Sequence, residues 1–162
     1  MYDPVNALKH PELALVNAIA YGSDIPSLFV ANIAGRISVY DPDGTFLRAF
    51  GSPGRGPGQF TDLVDIAPQG DRLFTAEDRG VDFVGRVQVL TLDGVPLQVL
   101  PINTCGGPRS LCASAQYVHV LCMVDFNAEA LLNSYANDLN VDDEFVDLGH
   151  PMHSLVGFKI RA

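Results

Sequence analysis

The sequence predicts an all-β fold assembled from a repeated four-stranded antiparallel unit, and three observations carry that prediction. Eleven Pro and 15 Gly punctuate many short apolar runs, none of which nears the ~18 residues of a spanning helix. The segment Gly35-Arg36-Ile37-Ser38-Val39-Tyr40-Asp41-Pro42-Asp43-Gly44 recurs 50 residues later as Gly85-Arg86-Val87-Gln88-Val89-Leu90-Thr91-Leu92-Asp93-Gly94. The pairs Leu15-Val16, Leu63-Val64, Leu111-Cys112 and Leu155-Val156 follow one another at 48, 48 and 44 residues. At 162 residues, 48% of them apolar, the chain fits one domain with a sizeable core.

Each element has its own reason. The Leu-led pairs open a first strand, and a second apolar strand follows at Ser27–Ala31, Arg72–Ala76 and Gln116–Leu121. A third strand begins after Gly-Arg, alternates apolar and polar residues, and ends in an Asp-Gly turn, where Gly supplies the positive φ of a tight hairpin. Thr45–Phe50 and Val95–Leu100 alternate again and read as fourth strands, with the charges and prolines of a sheet edge. The repeats span about 10–58, 59–107 and 108–149, and a fourth begins at 150–162, because His10-Pro11 and His150-Pro151 frame the first and last anchors alike. In the third repeat, Asp125–Tyr135 reads as hairpin and strand by register, with a capped helical turn as the alternative. Four antiparallel strands at this period are the mark of a β-propeller blade, which buries its faces only against neighbouring blades. The expected architecture is therefore a partial β-propeller of three blades and one further strand.

The segment Phe50-Gly51-Ser52-Pro53-Gly54-Arg55-Gly56-Pro57-Gly58-Gln59-Phe60 lies between an outer strand and the next inner one. It resembles the inter-blade linker of NHL-repeat and related six-bladed β-propellers, and with Arg36–Gly44 the resemblance covers residues 28 to 100. That resemblance implies a noncatalytic platform for a protein or peptide partner. It also implies two alternatives: RNA binding, and a lyase or hydrolase of the peptidyl-hydroxyglycine amidating type, which holds zinc in the central channel. Fold alone does not choose among these.

Charge bears on the choice. Ten Lys and Arg against 19 Asp and Glu give −9, and Ser110 to Phe158 holds seven acids and no Lys or Arg. Such a balance opposes phosphate backbones, although Arg36, Arg48, Arg55, Arg72, Arg79 and Arg86 would serve RNA if they gathered on one surface. Cys105, Cys112 and Cys122 form no CxxC pair and are odd in number, which argues against a disulfide scaffold. Met1–Asn6 has neither the basic opening nor the apolar core of a signal peptide, so the expected location is cytoplasmic.

Candidate site residues are few. His153, in Met152-His153-Ser154-Leu155, has the form the amidating lyases use for one zinc ligand, and His10 and His150 occupy matched positions. Catalytic zinc usually takes three protein ligands, and the matching positions of the other repeats hold no His, so the expected cofactor is none. The acids Asp138, Asp142, Asp143, Glu144 and Asp147 suggest calcium but lack the EF-hand spacing and Gly, and read better as a solvated loop. Arg109 opens the third inner strand and would line a channel and bind a carboxylate, unless it pairs with a nearby acid such as Asp62 or Asp65. His119 and Cys122, three apart in a strand, fall on opposite faces. The glycine-rich linker is not a phosphate loop, since no Lys-Ser or Lys-Thr follows and a strand stands where a helix is required. No Ser/His/Asp order or nucleophile elbow is visible.

Three blades leave two open edges. Two copies pairing into a ring of six, or further blades from a longer chain, would close them, and the second is favoured because the chain ends one strand into a blade.

Overall fold

The structure, a computed structural model, describes residues 11–78, 85–102, 107–123 and 153–159. After a short 3-10 turn at Pro11–Leu13, β1 (Val16–Gly22), β2 (Ser27–Asn32), β3 (Ile37–Tyr40) and β4 (Phe46–Phe50) form a first antiparallel sheet in sequence order. The glycine-rich linker carries two short parallel strands, β5 (Ser52–Pro53) and β6 (Gln59–Phe60). β7 (Leu63–Gln69), β8 (Arg72–Glu77), β9 (Gly85–Thr91) and β10 (Pro96–Ile102) repeat the four-stranded meander. The third sheet holds β11 (Pro108–Ala113), β12 (Tyr117–Met123) and β13 (His153–Lys159), again antiparallel. The fold is all-β, and no helix among the described residues is long and apolar enough to cross a membrane.

The two Asp-Gly hairpins form alike. Gly44 and Gly94 take φ of 92° and 87°, values that favour glycine. Gly44 N–H donates to Asp41 O at 3.0 Å and Gly94 N–H to Thr91 O at 2.9 Å. The side chain at the same turn position closes each loop: Thr45 N–H donates to Asp41 Oδ1 at 2.7 Å, and Val95 N–H to Thr91 Oγ1 at 3.1 Å.

Period-two alternation then divides the core. One cluster packs Ala18, Phe29, Ala31, Ile37 and Val39 of the first sheet against Leu63, Ile66, Leu73 and Leu90 of the second, with Phe60 of the linker. The other packs Phe74, Ala76, Val87 and Val89 of the second sheet against Leu111, Val118, Val120 and Cys122 of the third. Each interface is centred on first strands: β1 lies beside β7, and β7 beside β11.

Every first strand bulges at the same point, between Val16 and Ala18, Leu63 and Asp65, and Pro108 and Ser110. This register corrects the sequence anchors. Leu63 corresponds to Val16 and Pro108, while Leu111 corresponds to Ile19 and Ile66, because a bulge shifts pairing by a residue and apolar residues fill the slots on either side. The strand that contains the fourth anchor, His153–Lys159, pairs with β12 in the third sheet, Met123 opposite His153. A two-residue anchor carries no statement of strand partner or direction, so it does not separate a new unit from the return strand of an old one. The hairpin expected at 125–135 lies outside the described residues.

Candidate functional site

The site begins with the linker, which a buried polar network on the second sheet holds in place. Antiparallel register sets Glu77 opposite Arg86 and Thr75 opposite Gln88, so Glu77, Arg86 and Gln88 share the face turned toward the linker. All three are buried. Arg86 donates from Nε to Glu77 Oε1 at 2.7 Å, from Nη1 to Arg55 O at 2.7 Å, and from Nη2 to Gln59 O at 2.7 Å. Gln88 Nε2 donates to Glu77 Oε1 at 2.7 Å and to Gln59 O at 2.8 Å, while its Oε1 accepts from Gly58 N–H at 2.9 Å. Thr61 N–H completes the set by donating to Glu77 Oε2 at 3.1 Å. A buried carboxylate is tolerated only when its charge and lone pairs are met in this way. The network fixes where the chain enters β7.

At that entry stands a cluster of Asp62, Asp78 and Arg109. Asp78 N–H donates to Asp62 O at 3.0 Å, which brings the two residues together where β7 begins and β8 ends. Arg109 arrives from the third sheet as the extra residue of the β11 bulge, and bulges re-aim a side chain in this manner. Its Nη1 lies 3.4 Å from Asp78 Oδ2. Gly107 permits the approach, since a Cβ there would run into the Asp78 carboxylate. Partial burial holds the Asp62 carboxyl above the ordinary carboxylate range, and the negative charges of Asp78 and Glu77 add to it while Arg109 opposes. The arrangement presents two carboxylates and one half-exposed guanidinium: it can bind charged and polar groups.

The acid paired with Arg109 is Asp78, rather than Asp62 or Asp65. Asp65 instead ties β7 to β11, its Oδ2 accepting from Ser110 Oγ at 2.7 Å and from Leu111 N–H at 2.8 Å. His119 and Cys122 take opposite faces: Cys122 is buried in the second cluster, and the His119 ring lies 5.9 Å from that of Tyr117. His153 opens β13, while His10, His150 and the acids 138–147 lie outside the described residues. Among the described residues no three His, Cys, Asp or Glu side chains are grouped to hold a metal ion. Of the arginines, Arg86 is buried, Arg36 Nη1 donates to Gly51 O at 3.1 Å, and Arg48 Nη2 lies 3.0 Å from both Leu92 O and Asp93 Oδ1. Sequence reasoning missed the buried network and Asp78; the repeated Gly-Arg was the available signal for the first.

The chain matches no protein-family model, and no curated protein is significantly similar to it.

Proposed function

We propose that the chain is a set of NHL-like β-propeller blades that serves as a noncatalytic interaction module, taking a protein or peptide partner at the rim marked by Asp62, Asp78 and Arg109. One observation carries the reading: first strands of consecutive sheets lie side by side, each with a bulge at the same point. Successive blades bring their inner strands together in this way, and binding residues gather on the loops at one end of such strands. Asn17, the bulge residue of β1, reaches across to Leu63 O at 2.5 Å, as Arg109 reaches back to Asp78. The chemistry of the rim describes the partner. Asp62 carries a carboxylate whose charge is already disfavoured, so a Lys or Arg side chain relieves it, and Arg109 retains donors for a carboxylate or carbonyl.

Selection from a random peptide display library against the purified chain tests this. Enriched peptides carrying Lys or Arg, and bound about tenfold more weakly by Asp62→Asn or Arg109→Ala, are the expected result. A library that yields no peptide above background, or binding indifferent to both substitutions, overturns it.

A further inference from the structure

The first two strands of the three sheets are equivalent position by position, and their equivalence exposes a mismatch at the two ends. In the structure β7 receives β1 and β2 of the sheet before it, and β11 receives β7 and β8. Register makes Ile19, Ile66 and Leu111 one position. Ile66 and Leu111 are buried at 2% and 7%, but Ile19 is 62% exposed and Tyr21, two residues on along the same face, is 54% exposed. Further out on that face Val30, Ser38 and Tyr40 are already buried, so the open part is a strip along β1. The other end shows the complement. The face that each sheet turns to its successor carries the cross-strand pair Ala20↔Phe29 in the first sheet, Ala67↔Phe74 in the second and Cys112↔His119 in the third. A small residue beside a ring is kept each time. Phe29 and Phe74 are buried with Ile66 and Leu111 respectively. In the third sheet Cys112 and Leu121 are exposed, and Tyr117 and His119 are half-buried.

We infer that a second copy of this chain docks its Cys112–His119–Leu121 face on the β1 strip carrying Ile19 and Tyr21. The contact continues the interface already made twice within the chain: Ile19 takes the place of Ile66 and Leu111, and Cys112 with His119 takes that of the Ala/Phe pair. It joins unlike surfaces, head to tail, and two such contacts related by a two-fold axis close a ring of six sheets. The inference rests on the equivalence of the sheets and not on the peptide partner proposed above, so either stands if the other fails.

Complementation tests it. Light scattering of the chain, 17.4 kDa as a monomer, over a range of concentrations is expected to show a mass twice that value. Ile19→Lys and Leu121→Glu each place an unpaired charge in the contact and raise the dimer dissociation constant by about a hundredfold. Each variant alone is expected to be monomeric, with far-UV circular dichroism unchanged. Mixing them is expected to restore a dimer, because one of the two contacts then holds native Ile19 against native Leu121. A wild-type chain that stays monomeric, a Leu121→Glu chain that still dimerises, or a mixture that fails to recombine overturns the inference. Like-to-like pairing of two β1 strips also predicts no recovery on mixing, so that outcome counts against the head-to-tail contact.

Discussion

Replacing Arg86 by Ala should be the most damaging single truncation among the charged residues described. The Arg86 side chain is 5% exposed and that of Glu77 fully buried. Removing it deletes the two bonds to Glu77 at 2.7 and 3.2 Å and those to the Arg55 and Gln59 carbonyls at 2.7 Å. The carboxylate then stays buried with Gln88 and Thr61 as its remaining partners. Breaking a buried pair in this way costs about 3–5 kcal/mol, a large part of the ~5–15 kcal/mol that holds a domain folded. Arg48 provides the contrast: its partners are Leu92 O and an exposed Asp93, and truncation there should cost about 1 kcal/mol. The second arm of the test is the double variant Glu77→Gln with Arg86→Ala, measured beside Glu77→Gln alone. It removes the orphaned charge while leaving an acceptor for Thr61 and Gln88, so it should be more stable than Arg86→Ala, with a coupling of about 1–3 kcal/mol. Urea unfolding followed by circular dichroism gives both numbers from midpoints at constant slope. A loss below about 1 kcal/mol for Arg86→Ala, or additivity in the double variant, would refute the reasoning.

Three further outcomes are expected. Asp65→Ala removes the acceptor of Ser110 Oγ and Leu111 N–H between the second and third sheets and should lower stability by about 1–3 kcal/mol in the same urea assay. Asp62 has a raised folded-state pKa, so it binds its proton more tightly folded than unfolded; its contribution is present at acid pH and is lost as pH rises from the ordinary carboxylate value through the raised one. Asp62→Asn should therefore exceed wild type in stability near pH 7 and match it near pH 3, and the reverse order would contradict the cause assigned. Gly94→Ala imposes a side chain at a φ of 87° and drives its Cβ into the Phe50 ring; a loss of about 2–4 kcal/mol is expected in equilibrium unfolding, against about 1 kcal/mol for Gly70→Ala, where φ is 59° but the added Cβ meets open space.

What the sequence disclosed, and what it hid, follows from the range of each interaction. The hairpins at Gly44 and Gly94 were legible because a tight turn is a local demand on φ that few residues meet. The repeat was legible because Gly-Arg and Asp-Gly recur on the alternating strands between them. The bulges were not: Leu63 and Leu111 look alike in sequence, yet one pairs before the bulge and the other after it. Charged residues in a strand ordinarily mark its solvent side, and Arg86 and Glu77 depart from that only because the linker folds over them and supplies carbonyl acceptors. Arg109 lies at the start of β11, where the sequence placed the opening of a strand. Its partner was missed because Asp78 lies in another sheet, and the approach depends on the space left by Gly107.

The order in which the sheets pack is the premise behind the rim, the equivalences and the paired ring. Methyl and aromatic nuclear Overhauser spectroscopy on the isotope-labelled chain reads it most directly. Cross-peaks are expected from Ile66 to Ala18, Phe29 or Ala31 of the first sheet, and from Leu111 to Phe74 or Ala76 of the second. Their absence, or cross-peaks from Leu111 to the first sheet in place of the second, would contradict the stacking.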